Sequence, residues 1–463
     1  MPYVEGFGTW PFGEEWLWEA IVGSYLPVLE LLDGGAPLTL SLTPVLCDQL
    51  EAPRLSERLE AFVSDVRRHT HAEDAAGLRA AGEERLAGEL ERAFGDYERA
   101  LERLKAHGGD LLGALGAHAQ WTSSATHAVL PLLATDAGAR MQVDTGVNAH
   151  RARFGESWGG GFWLPECAYA PWLGPLLREA GTRRTCVELT ARFGAGAREN
   201  LHPWLSDAGL VLVPIDRATI ELVWSDAGYP AAGAYRDYHH HTVHHHNPWS
   251  NDGGAYDHAA ALALARRDAA DFVARTLARL DGAASEGSGV TALGGPLVVC
   301  ALDTELLGHW WYEGVAWLEG VLEECARQHL SLVRLDEAPQ LDEPLPLAEE
   351  AEGQASSWGT GGDLSTWSGP TVADMAFAAR VAELALIRAG ERAGPVAARE
   401  LLALQASDWA FMVSRGLAVP YARERFSGHR ERFERAMRSG GDAGTRQLRN
   451  LAVHARLGAL LQP

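Results

Sequence analysis

Two short apolar runs in this chain each end abruptly in a carboxylate. Gly161–Tyr169 has the sequence Gly-Phe-Trp-Leu-Pro-Glu-Cys-Ala-Tyr and reaches its acid at Glu166, while the apolar run from Pro296 to Leu302 is followed at once by Asp303. An apolar run of this length that stops at a polar residue is typical of a buried strand. Two inner strands that are each followed by an acidic residue at their carboxyl ends predict paired carboxylates in the mouth of a barrel.

Further strand and helix patterns alternate along the chain. The predicted strands are Leu38–Thr43, Ala119–Ser124, Thr185–Leu189, Gly209–Asp216 and Leu332–Leu335, and the predicted helices cover about 14–32, 172–180 and 257–280. Strands that alternate with helices predict an α/β fold, either a barrel or a doubly wound sheet.

Two other regions have a different pattern. Residues 55–117 are rich in Ala, Arg, Glu and Leu at helical spacing, which predicts a helical insertion. Residues 341–352 are acidic and contain prolines, as linkers often do, and amphipathic helices follow a loop rich in Gly and Trp. We therefore expect a catalytic barrel in 1–54 and 118–340, the insertion in 55–117, and a C-terminal helical domain in 354–463.

Charge and cysteine content narrow the class of protein. The 40 basic and 62 acidic residues give a net charge of −22, which disfavours nucleic acid as a partner. No apolar run is long enough for a membrane span, and no signal peptide is expected at Met1. The cysteines have no CxxC spacing, so we expect reduced, buried thiols in a cytoplasmic protein. They are residues 47, 167, 186, 300 and 325.

The paired acids suit glycosidic bond chemistry, in which one acid attacks the anomeric carbon and the other protonates the leaving oxygen. The alternative is a structural role, in which carboxylates at strand ends cap helices or form ion pairs with arginines. For Asp216 we favour that alternative, as an ion pair with Arg217 or an orienting pair. The 16 tryptophans also favour a sugar site, although most tryptophans serve core packing.

The histidine run 239–246 raises the possibility of a metal site, since His240 and His244 would share a face of a helix. No cysteine or suitable acid in the sequence completes such a site. We favour a polar loop beside the cleft, and we expect no metal or other cofactor.

At the two acids the sequence resembles glycoside hydrolase family 57, most closely its 1,4-α-glucan branching enzymes of the actinobacterial type. Trp163–Tyr169 is similar to the family stretch that holds the nucleophile, and Leu302–Trp311 to the stretch that holds the general acid/base. The resemblance, which covers nearly the whole chain, implies that Glu166 is the nucleophile and Asp303 the acid/base. It implies a (β/α)7-type barrel with a C-terminal all-α domain.

Other motifs of the family supply the predicted substrate-binding residues. The loop Trp224–Pro230 resembles the branching-enzyme loop whose tyrosine covers the active site, which makes Tyr229 the candidate lid, although an ordinary exposed loop is the alternative. The resemblance places the following residues at the glucan site: His127, Trp163, Tyr229, Trp310, Trp358, Trp367, Asp408, Trp409 and Trp10.

One departure from the family concerns the beginning of the chain. The family starts with a strand that carries two histidines, and Met1-Pro2-Tyr3 is similar only to the end of that motif. We expect a start upstream of Met1. The expected function is α-1,4 to α-1,6 glucan transfer. The alternatives are an α-amylase-like hydrolase and, if the first strand is truly absent, a non-catalytic glucan-binding protein. The sequence does not indicate the oligomeric state.

Overall fold

The computed structural model describes residues 1–7, 13–285, 295–347, 354–439, 448 and 450–461. Trp10, one of the predicted substrate-binding residues, lies outside them. No helix in these ranges is both long enough and apolar enough to cross a membrane.

The predicted helix near residues 14–32 is confirmed, with an irregular centre. Helix α1 (Glu14–Ala20) continues through a π-helical segment (Ile21–Tyr25) into helix α2 (Leu26–Asp33). Two acids in the first turn of α1 suit the positive end of the helix dipole. The π-helical segment is the part that contacts the turn directly after Asp303, and π-bulges are frequent at functional sites.

A seven-stranded sheet runs through the barrel in the order β1-β2-β3-β4-β6-β5-β7. All neighbours are parallel except β5 and β6, which are antiparallel. The strands are β1 Leu40–Ser41, β2 Ala119–Ser123, β3 Gly161–Trp163, β4 Arg184–Val187, β5 Trp204–Leu205, β6 Val211–Pro214 and β7 Leu345–Pro346. The predicted α/β fold with a parallel sheet is confirmed. Strand β7 lies inside the predicted linker, so that part of the linker prediction is wrong.

Two predicted strands, Pro296–Leu302 and Leu332–Leu335, form no ladder. Their backbones are attached by isolated hydrogen bonds instead, from Asp216 N–H to Val299 O (2.8 Å) and from Leu335 N–H to Thr39 Oγ1 (2.6 Å). Val299 and Leu335 nevertheless pack against the same interior cluster as the sheet residues. That cluster comprises Trp121, Cys167, Cys186, Ile215 and Ile220. Both segments therefore line the barrel interior without regular pairing.

The cysteine prediction holds for four residues and fails for one. All five thiols are free, and four are buried, whereas Cys300 is exposed. Val299 and Ala301 on either side of it pack towards the barrel interior. Because side chains alternate along an extended backbone, Cys300 points the other way.

The remaining helices cover the sheet and build the C-terminal region. Those in and before the predicted insertion are α3 Pro44–Leu50, α4 Leu55–Ala61, a π-helical segment Phe62–Arg67, α5 Arg68–Ala80, α6 Glu84–Ala106 and α7 Leu111–Gly116. Those between the strands and beyond are α8 Asp136–Phe154, α9 Leu173–Glu179, α10 Thr190–Phe193, α11 Arg217–Ile220, α12 His258–Ser285 and α13 Gly314–Gln328. The C-terminal helices are α14 Ser365–Ser368, α15 Ala373–Ala389, α16 Gly394–Leu404, α17 Ser407–Arg415, α18 Val419–Ser439 and α19 Leu457–Leu461.

The C-terminal helices join the barrel through a shared core and a buried arginine. Arg425 on α18 donates from Nη2 to the carbonyl oxygen of Tyr3 at 2.9 Å, and Tyr3 belongs to the same apolar cluster as α16 and α17. Residues 1–5 thus lie between the two regions, which holds the start of α17 close to the carboxyl ends of β2 and β3.

Candidate active site

Glu166 stands on a strained turn directly after β3. The single 3-10 turn Pro165–Cys167 follows the strand, and both Glu166 (φ 62°) and Cys167 (φ 49°) have left-handed backbone angles that residues other than glycine rarely adopt. Backbone hydrogen bonds hold this turn, from Cys167 N–H to Leu164 O and from Trp358 N–H to Glu166 O. Strain that the surroundings enforce is frequent where a side chain must be aimed at a substrate.

The Glu166 carboxylate accepts a hydrogen bond at each oxygen. Trp358 Nε1 donates to Oε2 at 2.8 Å, and Ser407 Oγ donates to Oε1 at 2.9 Å. The first donor lies in the Gly/Trp-rich loop and the second begins α17, so both come from the region after the sheet. A carboxylate with a donor on each oxygen is fixed in orientation.

His127 is attached to the same carboxylate through Ser407. Its Nδ1 lies 2.9 Å from Ser407 Oγ and 3.7 Å from Glu166 Oε1, and its carbonyl oxygen accepts from Ser407 N–H. Because the Ser407 hydroxyl gives its one proton to Glu166, we assign His127 Nδ1 as the donor to Ser407. His127 (φ 59°) is the third residue at this site with a left-handed backbone angle.

Asp303 comes directly before a 3-10 turn, Thr304–Leu306, that packs against the π-helical segment. Ser24 Oγ donates to Thr304 O at 2.6 Å. A Cβ atom at Gly23 would stand 2.8 Å from Gly308 O, and one at Gly308 would collide with Gly23 O. Only glycines allow the two backbones to approach so closely, so this contact fixes the turn that carries the acid.

Burial and then the negative charges of Glu305 and Glu166 raise the pKa of Asp303 well above its ordinary value. Glu305 is a third carboxylate at the site, and its Oε1 accepts a hydrogen bond from Tyr25 OH at 2.5 Å. A carboxyl that keeps its proton at neutral pH has the property that a general acid needs.

Asp408 follows Ser407 on α17 and is half-buried. Its negative charge is among the causes that raise the pKa of Asp303. Its Oδ1 lies 3.6 Å from the nitrogen of Met1. Glu166 and Asp408 therefore both act on the pKa of Asp303 through their negative charges.

Relatives of this chain share its family profile and its fold. The profile of glycosyl hydrolase family 57 matches residues 120–344, and that of the C-terminal region of 1,4-alpha-glucan branching enzyme matches 375–454. A 1,4-alpha-glucan branching enzyme of Thermococcus kodakarensis is 30% identical over 94% of this chain and 71% of its own length. A probable 1,4-alpha-glucan branching enzyme of Mycobacterium tuberculosis is 32% identical over 93% and 88%.

The chain belongs to glycosyl hydrolase family 57. The crystal structure of a branching enzyme of this family from Pyrococcus horikoshii superimposes with a TM-score of 0.87 at 28% identity, covering 100% of this chain and 95% of the other. The resemblance that the sequence motifs indicated is thus confirmed.

Two predicted substrate-binding residues of this family 57 chain flank Glu166 as partly exposed aromatic rings. The ring centroids of Trp163 and Trp358 are 5.2 Å apart in an edge-on arrangement. Trp310, which follows the turn Thr304–Leu306 after Asp303, is exposed. These three rings have faces that a glucose ring could contact.

Two other predicted glucan-binding tryptophans lie in the core. Trp409 donates from Nε1 to Ala403 O and packs against Tyr421, and Trp367 is enclosed beneath the loop at Gly359. A fully buried ring has no free face for a sugar, so the structure assigns both to packing. The motifs could not separate these roles, because a tryptophan beside the site and one beneath it have the same sequence signature.

Tyr229, the predicted lid residue, is half-buried against the helices behind the loop. Its hydroxyl donates to Asp271 Oδ2 at 2.7 Å, and its ring lies 6.5 Å from that of Trp317. None of its described contacts involves the acids. Its role as a lid stays a prediction.

The predicted pair of Asp216 with Arg217 is wrong. Asp216 binds Arg279 of α12 at 3.1 Å, because the strand end turns its carboxylate towards that helix. Arg217 instead lies 3.7 Å from Glu188 and donates from Nη1 to Trp358 O at 3.0 Å. Arg217 thereby supports the loop whose indole binds Glu166.

The histidine run forms turns, as the polar-loop interpretation predicted. His244 lies 2.7 Å from Asp74 through Nδ1, and the tilted rings of His246 and His71 have centroids 3.6 Å apart. Within the described ranges no group of three or more His, Cys, Asp or Glu side chains is arranged to hold a metal ion.

Sequence reasoning overlooked Ser24, Tyr25, Glu305 and Ser407. Glu305 lies two residues after Asp303, and Ser407 directly precedes Asp408, so each stands close to a residue that the sequence analysis did select. Ser24 and Tyr25 are brought to the site by the π-helical segment, and the apolar pattern of a helix carries no signal for that irregularity.

Proposed function

We propose that this chain is a 1,4-α-glucan branching enzyme that moves a glucan segment from an α-1,4 to an α-1,6 linkage with net retention. The observation that carries the proposal is the contrast between two neighbouring carboxyls. Glu166 is held by two donors, whereas the pKa of Asp303 is raised. A fixed nucleophile beside a protonated acid is the arrangement that a retaining mechanism requires. The branching enzymes among the relatives support the substrate class.

In the first step a Glu166 oxygen attacks the anomeric carbon of the donor glucan. The bond from that carbon to the leaving oxygen breaks, and Asp303 gives its proton to that oxygen. The product is a glycosyl-enzyme ester on Glu166 and a shortened glucan with a free hydroxyl.

In the second step the 6-hydroxyl of an acceptor glucan attacks the same carbon. The Asp303 carboxylate takes the hydroxyl proton, the ester bond breaks, and the Glu166 carboxylate is restored. Two inversions at one carbon give net retention. Water in place of the acceptor would give hydrolysis.

We propose that Tyr229 acts as a lid that limits access of water to the ester. Closure would require its hydroxyl to leave Asp271, and Gly228 lies in the same loop. Exclusion of water by a closing loop favours transfer over hydrolysis. Tyr229→Ala is expected to raise hydrolysis relative to transfer, and an unchanged ratio would contradict the lid role.

We also propose the domain division expected above, with a catalytic barrel in 1–54 and 118–340, an insertion in 55–117 and a helical domain in 354–463. Helices α4–α7 lie within the second range and α14–α19 within the third, which supports it. A glycogen-like natural substrate and a cytoplasmic location stay predictions.

Incubation with amylose separates the candidate functions. A branching enzyme lowers iodine staining and yields short chains after debranching, because new α-1,6 links form. An α-amylase-like hydrolase gives shorter linear chains and new reducing ends, and a non-catalytic binding protein leaves amylose unchanged. The Glu166→Gln variant serves as the control, and either of the last two outcomes in the unmodified chain would overturn the proposal.

A further inference from the structure

Three exposed aromatic side chains and one histidine form a row beyond the turn Thr304–Leu306 that follows Asp303. We call this row the aromatic arc, and its members are Trp224, Trp310, His309 and Tyr238. The ring centroids of Trp224 and Trp310 are 5.8 Å apart, those of Trp310 and His309 6.2 Å, and those of His309 and Tyr238 5.9 Å. Trp224 is 41% exposed, Tyr238 40% and Trp310 36%. The row thus consists of neighbouring rings, edge-on or tilted to one another, that are partly exposed to solvent.

The backbones behind these rings are firmly held. Trp224 N–H donates to Ile220 O at 2.7 Å, and Trp310 N–H donates to Glu305 O at 3.1 Å. A Cβ atom at Gly228 would stand 2.6 Å from Val223 O, so the loop that carries Trp224 is closely packed on itself. In this conformation the exposure of the rings therefore accompanies a hydrogen-bonded backbone around Trp224 and Trp310.

Exposing such apolar rings side by side to water is unfavourable in free energy. Large contiguous apolar surface on a folded chain usually marks a place where something binds. Flat apolar rings with polar edges suit the sugar ring, whose faces are C–H and whose rim is hydroxyl.

The position of the arc indicates on which side of the reacting bond its ligand would lie. In a retaining mechanism the acid/base contacts the leaving oxygen first and the acceptor hydroxyl second. It therefore stands on the side of the leaving group and acceptor. Trp310 follows Asp303 closely and is bonded to Glu305 of the same turn, whereas Trp163 and Trp358 stand beside Glu166.

We propose that the aromatic arc is the binding surface for the acceptor glucan, with Trp224 as its outer stacking platform. This inference rests on the proposed function and extends it, because it assigns residues to the second substrate. Trp224 and Tyr238 contact the acceptor chain, and they take no part in forming the ester on Glu166.

The test uses a donor that needs no binding on the acceptor side. α-Maltotriosyl fluoride loses fluoride when the ester forms, so the rate of the first turnover of fluoride release without acceptor reports the donor side alone. Transfer to fluorescently labelled maltoheptaose, titrated over concentration, reports the acceptor side. Trp224→Ala is compared with the conservative Trp224→Phe and with Phe377→Ala, an exposed aromatic on α15.

We expect Trp224→Ala to release fluoride at the unmodified rate and to need about 10-fold more acceptor for half-maximal transfer, the factor that corresponds to ~1.4 kcal/mol. Trp224→Phe should recover most of this difference, and Phe377→Ala should match the unmodified chain. An unchanged acceptor dependence, or an equal loss of fluoride release, would overturn the proposal.

Two further readouts keep the outcome clear. If Trp224→Ala does not fold, Tyr238→Ala is expected to raise the acceptor requirement in the same way, and no rise would overturn the proposal. Debranching of the labelled product reports whether the new link is α-1,6. If the unmodified chain makes no such link, the proposed function fails regardless of the arc.

Discussion

Ser407 Oγ donates to Glu166 Oε1 at 2.9 Å, and the same hydroxyl lies 2.9 Å from His127 Nδ1. One small side chain at the start of α17 therefore couples the helical region to Glu166 and to the loop after β2. Because Ser407 N–H also donates to His127 O, the hydroxyl and the backbone fix each other. Loss of the hydroxyl would leave both the carboxylate and the imidazole with one partner fewer.

We expect Ser407→Ala to lower kcat/KM by about 10- to 100-fold, the range for loss of a hydrogen bond to a charged group. The fall should appear in kcat with KM nearly unchanged, since the orientation of Glu166 matters for attack and little for binding. Steady-state rates on amylose give the measurement. Ser414 lies on the same helix as Ser407, and its hydroxyl donates to Thr366 O of α14; Ser414→Ala removes that bond and should have little effect. An equal loss in both variants would indicate damage to the helix.

Trp358→Phe removes the indole donor to Glu166 Oε2 and keeps an aromatic ring beside the sugar. We expect kcat/KM to fall by about 10- to 100-fold because the second donor to the carboxylate is lost. Rates of fluoride release from α-maltotriosyl fluoride measure this step directly.

The matched control for that variant is Trp204→Phe, which removes an indole donor to Glu199 O away from the acids. It should leave the rate unchanged. A rate for Trp358→Phe close to that of the unmodified chain would contradict the orienting role of the indole.

The sequence allowed the acids to be found because apolar runs that stop at a carboxylate carry a strong signal, and family motifs surround both. The parallel sheet could be predicted for the same reason. The strand patterns at Pro296–Leu302 and Leu332–Leu335 were misleading, since an apolar segment that lines a barrel has the same composition whether or not its backbone pairs.

Tertiary contacts determine the features that could not be predicted from the sequence. Whether a tryptophan lies over a site or beneath it depends on packing between distant segments, as Trp358 and Trp409 illustrate. Asp216 forms its ion pair with Arg279 and not with the adjacent Arg217 because α12 lies beside the end of β6. The close approach of Gly23 to Gly308 has no local signature, because two glycines far apart in sequence do not indicate that they touch.

Asp303→Asn removes the proton donor while keeping the shape of the side chain. We expect the rate on amylose to fall by about 10²- to 10⁴-fold, whereas release of fluoride, which needs little protonation, should fall far less. The raised pKa of Asp303 keeps its proton at neutral pH, so activity of the unmodified chain should be lost as pH rises through that value. Residual activity of the variant should lack this alkaline fall.

Rates across pH on both donors measure the effect. Asp207→Asn, at an exposed position, should keep the profile of the unmodified chain. An alkaline fall that persists in Asp303→Asn would assign it to another group.

His71 on α5 is buried against His246, and burial lowers the pKa of His71 to about 4. An unfolded chain binds a proton at this residue below its ordinary pKa of about 6.5, and the folded chain does not. The free energy of unfolding should therefore be unaffected at pH 7 and fall as pH drops below 6.5, by about 2 kcal/mol at pH 5. His71→Phe should remove this part of the pH dependence, as urea denaturation at pH 7 and pH 5 would measure. His69→Phe, which alters a histidine that is 70% exposed on the same helix, should keep it, and an unchanged slope in His71→Phe would contradict the assignment.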